Sequence, residues 1–379
     1  MVWLDLNNET HVQRLCFIIF YDVYIVAPGF FFYSNSLYAK KGRSNMELSI
    51  TILLFLIGIV LIIKGGDYFV DAATWMAEVS GIPKVIIGAT VVSLATTLPE
   101  MLVSVIAAMD GKVDMAIGNA IGSVTANIGL IMAISLVFMP GVINRKDYVP
   151  KSVLMFCASL MIVASGKTGS IGLFLSSVLL ILFVLFLIEN IRSTQHSMHK
   201  NTAALQAAEY TAVQNSSLIS PTKAGVERSV VLVNVLKFIG GAAGIVIGAN
   251  LLVNNGSDLA RYIGISERII GVTLVAVGTS LPELVTTITA IIKKQSSLSI
   301  GNILGANIID LTLILPVSML CAGKPLPIAS SAAILDFPAC LLVGCIAVGP
   351  MIITSKFKRW QGFALLAVYA VYLVLTCTA

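Results

Sequence analysis

The chain has 379 residues, of which 57% are hydrophobic and 11% charged, against roughly 25% charged in an ordinary soluble domain. A water-soluble globular protein is excluded: apolar stretches of about 20 residues, long enough to cross a bilayer, recur from end to end. The net charge of +5 does not point to nucleic acid, because the Lys and Arg residues fall between the apolar stretches, where they set topology.

In chain order, residues 1–45 carry the aromatic-rich run FFFYSNSLYAKKGRSN and no clean span. Met46 opens MELSITILLFLIGIVLI, which reads as a start into a first helix. The segment before it reads as a loosely packed extension or an upstream start assignment. Deleting residues 1–45 is therefore expected to leave a membrane-inserted, active protein. The check is insertion and activity of the truncated chain, and loss of either contradicts the reading.

Ten spans follow, at about 47–79, 83–109, 114–138, 150–166, 170–190, 230–262, 267–292, 297–321, 328–348 and 358–378. A polar, Ser/Thr/Asn/Gln-rich connection at 191–229 reads as a solvated linker. It divides the chain into a first five-helix repeat at 46–190 and a second at 230–379. Placing the linker in the cytoplasm puts Lys84, Arg145, Lys146, Lys151, Arg192, Lys200, Lys223, Arg228, Lys293, Lys294, Lys356, Lys358 and Arg359 inside. Lys112, Lys167, Arg261, Arg268 and Lys324 then lie outside, the asymmetry that cytoplasmic loops favour. Lys40, Lys41 and Arg43 fall on the outer side against that rule, a second reason to set residues 1–45 apart.

Cys16, Cys157, Cys321, Cys340, Cys345 and Cys377 are scattered without a CxxC pair, so neither a zinc site nor a disulfide framework is indicated. His11, His196 and His199 lie outside the spans. No cofactor is expected. The partners expected are ions and the lipid bilayer, with no nucleic acid and no obligatory protein partner.

The two halves repeat. Setting Gly88 on Gly271, a shift of 183 residues, aligns GATVVSLATTLPEMLVSVIAA with GVTLVAVGTSLPELVTTITAI without a gap. The same shift aligns AIGNAIGSVTANIGLI with SIGNILGANIIDLTLI. Because each half has an odd number of spans, the second enters the membrane upside down. The expected fold is an all-α polytopic membrane protein of ten transmembrane helices in two inverted-topology repeats, the architecture of secondary transporters with a site at the bilayer midplane.

The repeated motifs place charge where it is costly. A carboxylate at the centre of a span costs a few kcal/mol, and the chain does this at both Glu100 and Glu283. Pro99 and Pro282 break the helix as well: they lack an N–H, so the carbonyls of Ala95 and Gly278 lose their helix partners. Thr96, Thr97, Thr279 and Ser280 add hydroxyls one turn before the glutamates. Every one of these atoms is a hard oxygen, the donor type that Ca²⁺ takes six to eight of. Nothing soft is present to favour zinc or copper, and Na⁺ suits subsets of the same oxygens. The second motif adds Asn127 and, at the matched position, a third carboxylate, Asp310; Ser123 is matched only by Ala306. Gly118, Gly122, Gly301 and Gly305 fit close helix packing or ion contact equally. Asn119 and Asn302 read as interhelical hydrogen-bonding groups or as ligands. Lys64 and Asp67, one turn apart, read as a structural pair or as lining an aqueous vestibule. Asp71 lies one turn further on, matched by Asn254.

At TTLPE with GNAIGSVTAN, and GTSLPE with GNILGANIID, the sequence resembles the cation/calcium exchanger superfamily, and most of all the prokaryotic calcium/sodium antiporters. The resemblance covers the chain from Met46 onward. It implies ten helices, no covalent chemistry, and exchange of cytosolic Ca²⁺ for external Na⁺ in a bacterial or archaeal plasma membrane. It also implies ion-coordinating roles for Thr96, Thr97, Glu100, Ser123, Asn127, Thr279, Ser280, Glu283 and Asp310, with backbone carbonyls at Ser93 and Ala276. The chain departs from the family pattern at Ala95, Thr97, Val124 and Ala306, and the departures bear on sodium number more than on calcium. A Ca²⁺/H⁺ antiporter and a K⁺-dependent exchanger are the alternatives on the same fold. A channel fits paired buried charges less well, and no nucleophile–base set suggests an enzyme. Alternating access is expected to slide the first two spans of one half, with their symmetry mates, against the remaining bundle.

Overall fold

The computed structural model describes residues 45–139, 145–214, 228–264, 278, 280–354 and 356–378. Within them the chain is almost entirely helical. The helices are α1 (Asn45–Ser80), α2 (Lys84–Met109), α3 (Val113–Phe138), α4 (Arg145–Ser165) and α5 (Leu173–Gln214) in the first half. They are α6 (Arg228–Tyr262), α7 (Leu281–Ile292), α8 (Ser296–Ala322), α9 (Ala332–Thr354) and α10 (Arg359–Thr378) in the second. Nine of these are long and apolar enough to cross a membrane, and α7 is a shorter apolar helix. The extension before residue 45 lies outside the described residues. The segment read as a linker is helical as far as Gln214, where α5 ends.

Turn chemistry sets the ends. Gly81 takes a left-handed conformation (φ 68°) after α1, and Pro83 stands at the N-cap of α2, where its missing N–H costs nothing. Gly323 closes α8 in the same left-handed way (φ 64°). Outward faces carry bare apolar side chains, among them Leu53, Val60, Phe174, Ile181, Leu232 and Ile239, as a lipid-facing surface requires. α3 and α8 are the most enclosed helices and α6 the least. The main core lies along α3 and α8, with Ile121, Ile128, Leu304, Ile308 and Leu311 fully buried.

Two observations give the inverted topology physical form. First, α1 and α6 pack on each other through glycines in a crossed pattern. A Cβ added at Gly58 would meet Gly248 O at 3.0 Å, and one at Gly65 would meet Gly241 O at 2.8 Å. The 183-residue shift makes Gly58 the mate of Gly241 and Gly65 the mate of Gly248. Each glycine therefore packs on the partner of the other, the self-complementary contact that a two-fold axis produces. Second, β1 (Ser170–Ile171), between α4 and α5, pairs antiparallel with β2 (Leu326–Pro327), between α8 and α9. Those two connections share a membrane face only if an even number of crossings separates them. The four helices between them, α5, α6, α7 and α8, meet that condition.

Candidate cation site at the centre of the bundle

Glu100 lies midway along α2, and Pro99 sits inside that helix without breaking it. The break expected at the proline is absent: the helix runs through it, although Pro99 has no N–H to offer the Ala95 carbonyl. One turn earlier, Thr97 Oγ1 donates to Ser93 O at 2.7 Å and Thr96 Oγ1 lies 3.3 Å from the same carbonyl, local back-bonds of the kind that bend a helix. With its hydrogen turned back on Ser93, the Thr97 oxygen keeps lone pairs for other partners, while the single Thr96 hydrogen is shared between Ser93 O and Asn302 Oδ1. The second repeat solves the problem differently: α7 begins at Leu281, and Pro282 falls in its first turn, a position that needs no N–H.

The positions that follow share an unexpected backbone. Asn127 is the first residue of a π turn, Asn127–Met132, within α3. Asp310 is the first residue of a π turn, Asp310–Ile314, within α8. The two are exact repeat mates in sequence. Isolated π turns concentrate at functional sites, because they interrupt the ladder and re-aim side chains. A third, Gly88–Val92, leads into Ser93.

Glu100, Glu283 and Asp310 are all fully buried and stand within electrostatic range of one another. Thr96, Thr97, Ser93, Ser123, Asn127 and Ser280 are buried as well. Thr279 and Ala276 lie outside the described residues. Both carboxylate oxygens of Glu100, Glu283 and Asp310 find no hydrogen-bond partner among the described residues. The same holds for the Ser123 and Ser280 hydroxyls and both polar atoms of the Asn127 amide. An unpartnered buried polar group costs about 1–3 kcal/mol, and more when charged, so a cluster of them that includes repeat-matched positions is the candidate for a site. No three His, Cys, Asp or Glu side chains form a metal-holding group by themselves among the described residues. The donor set that converges instead mixes carboxylate, hydroxyl and amide oxygens. Two further buried groups without partners, Asn307 and the Thr287 hydroxyl, escaped the sequence reading; an amide three residues before Asp310 in an apolar run was the available signal.

Neighbouring residues hold this set in place. Asn119 Nδ2 on α3 donates to Glu100 O (3.1 Å) and to Ser104 Oγ (2.9 Å) on α2. Asn302 on α8 accepts from Thr96 Oγ1 (3.3 Å) and donates to Thr286 Oγ1 (3.0 Å), which in turn donates to Glu283 O (3.0 Å). Both asparagines are interhelical clamps. Gly301 and Gly305 pack against α2: a Cβ at Gly301 would run into Val85 O, and one at Gly305 would meet Ser93 Oγ at 2.5 Å and Ala89 O at 2.6 Å. A Cβ added at their mates Gly118 or Gly122 would meet no atom of another described helix within 4 Å. The Asp67 and Asp71 carboxylates meet Lys293 at the end of α7, at 3.4 and 2.7 Å, in place of the Lys64–Asp67 pair expected from spacing.

Comparison with known proteins agrees with this architecture. The family described as "Sodium/calcium exchanger protein" matches residues 50–191 and 233–378, and the chain belongs to that family. It is therefore an integral membrane protein of a transporter family that handles cations. Sodium/calcium exchanger MaX1 of Methanosarcina acetivorans is 31% identical over 359 residues, covering 86% of this chain and 98% of its own. Inner membrane protein YrbG of Escherichia coli is 31% identical over 298 residues, covering 77% and 86%. Among solved structures, the sodium-calcium exchanger NCX_Mj soaked with Na⁺ and Sr²⁺ superposes with a TM-score of 0.68 at 28% identity, over 86% of this chain and 99% of that one.

Proposed function

We propose that the protein is a secondary antiporter that exchanges Ca²⁺ for Na⁺ by alternating access around one central cation site. The observation that carries the reading is the set of buried oxygens without partners at Glu100, Glu283, Asp310, Ser123, Ser280 and Asn127, contributed by both halves. Glu100 and Glu283 supply up to four oxygens and two charges, which neutralise Ca²⁺. The hydroxyls of Thr96, Thr97, Thr279 and Ser280 and the Ser93 and Ala276 carbonyls fill the remaining positions of a six- to eight-oxygen shell. Na⁺ takes subsets of the same atoms, with Ser123, Asn127 and Asp310 extending the set. Two relatives support the exchange partner by name, MaX1 and NCX_Mj both being called sodium/calcium exchangers.

The moving part in this reading is α1 with α6. Together they pack mainly on each other and have the fewest neighbours in the rest of the bundle, and their glycine seam is smooth. Sliding α2 as well, the arrangement expected from the sequence, is opposed by the backbone contact of Gly88, Gly301 and Gly305 between α2 and α8.

The test is Ca²⁺ uptake by purified protein in liposomes under separately imposed Na⁺, H⁺ and K⁺ gradients, with the charge moved per Ca²⁺ recorded. Uptake driven by Na⁺ alone, with net charge movement, is expected. Uptake driven by a proton gradient at zero Na⁺ would make it a Ca²⁺/H⁺ antiporter, and a requirement for K⁺ a K⁺-dependent exchanger.

A further inference from the structure

We propose that Lys293 with Asp67 and Asp71 forms a one-sided latch, which holds α1 against α7 on one membrane face and biases the protein toward the state closed on that face. The inference rests on the antiporter reading above.

Lys293 Nζ contacts three groups on α1: Asp71 Oδ1 at 2.7 Å, Asp67 Oδ1 at 3.4 Å and the Asp67 carbonyl at 3.0 Å. The neighbouring Lys84 reinforces the junction, bonding Glu78 Oε1 of α1 at 3.1 Å and Gln295 Oε1 after α7 at 2.9 Å. Lys293 lies ten residues past Glu283 in sequence, about 15 Å along a helix. Between the two levels the seam is tight: a Cβ at Gly66 of α1 would meet Thr289 Oγ1 at 2.7 Å and Val285 Cγ1 at 3.0 Å. While the latch is made, α1 and α7 are pressed together between that face and the Glu283 carboxylate.

The other half cannot build the same contact. The 183-residue shift sets Asn250 and Asn254 at the places of Asp67 and Asp71, and Asp110 at the place of Lys293. Two neutral amides and a carboxylate make no ion pair. In an inverted repeat the two access states arise when the halves exchange conformations; chemically equal halves would leave those states equal in free energy. A contact available to only one half tips the balance by its own strength, because an equilibrium moves only as far as the two states differ in interaction. Lys293 is mostly buried, with 23% of its side chain exposed, whereas Asp67 and Asp71 are at 43% and 56%. On opening, both carboxylates lose their cation partner and are left at the mouth of the seam, where they attract entering cations.

The test uses the full chain in lipid nanodiscs, with its native cysteines replaced and spin labels at Val79→Cys, at the end of α1, and Lys356→Cys, between α9 and α10. Both positions are exposed. Pulsed EPR then reads the distance between α1 and the bundle on the Lys293 face. Lys293→Gln is expected to raise the population at the longer distance about fivefold, as loss of a partly exposed charge pair implies. Asp71→Asn is expected to act in the same direction and less strongly, because Asp67 remains. Distributions in both variants that superimpose on the parent overturn the latch. Na⁺-driven Ca²⁺ uptake by the parent protein, measured in liposomes, is the independent readout: uptake without a shift refutes the latch alone, and a shift without uptake refutes the antiporter reading while the latch stands.

Discussion

Replacing Glu100 by Gln is expected to abolish Na⁺-driven Ca²⁺ uptake into liposomes, and Glu283→Gln to do the same. Each substitution keeps the size and burial of the side chain but removes one charge and one bidentate ligand. Truncating one partner of a buried charged contact costs roughly 3–5 kcal/mol, which is at least about a hundredfold in affinity. The loss should be equally severe at both positions, because the two carboxylates come from matched places in the two halves and both are fully buried. Ca²⁺ uptake near the parent rate in either variant would mean that the carboxylate in question does not hold the ion.

The second large effect is expected from one methyl group. Gly301→Ala places a Cβ against the backbone carbonyl of Val85, which cannot swing aside as a side-chain end can. α2 and α8 must separate by a few tenths of an ångström or more, and overpacking of this kind costs typically 1–3 kcal/mol. The displacement falls where Asn302 bridges Thr96 and Thr286, so the ligand geometry around Glu100 and Glu283 shifts as well. Lowered thermal stability of the purified protein and severe loss of transport are the expected results. Gly349→Ala on α9, where an added Cβ meets no atom of another described helix within 4 Å, is the control that should leave both unchanged. A Gly301→Ala protein with the parent's stability and transport would contradict the close α2–α8 packing.

The spans were legible because lipid demands them: helices α1 to α6 and α8 to α10 fall close to the apolar runs. The repeat was legible because duplicated letters survive at one constant shift, and the same shift applied to Gly58 and Gly65 would have exposed the α1–α6 seam. The π turns at Asn127 and Asp310 were not legible, since no residue type dictates an extra residue in a helical turn; packing between helices decides it. Pro99 misled the reading in one respect: α2 runs through it as a continuous helix, because a missing N–H removes one ladder bond without having to end a helix that its neighbours enclose. The partner of Asp67 and Asp71 was hidden by distance along the chain: spacing pointed to Lys64, and the fold brings Lys293 from the other repeat. For Asn119 and Asn302, residue type left two roles open, and their hydrogen bonds decide for helix clamping.

That Glu100 and Glu283 share a single cation site is the claim on which the mechanism depends. Equilibrium Ca²⁺ binding to the purified parent, the two single Gln variants and the double variant tests it most directly. A shared site gives one Ca²⁺ per parent chain, loss of that same ion in each single variant, and no further loss in the double variant, because groups that act on one ligand are not additive. Binding that survives in either single variant, or two separate ions lost one by one, would contradict it.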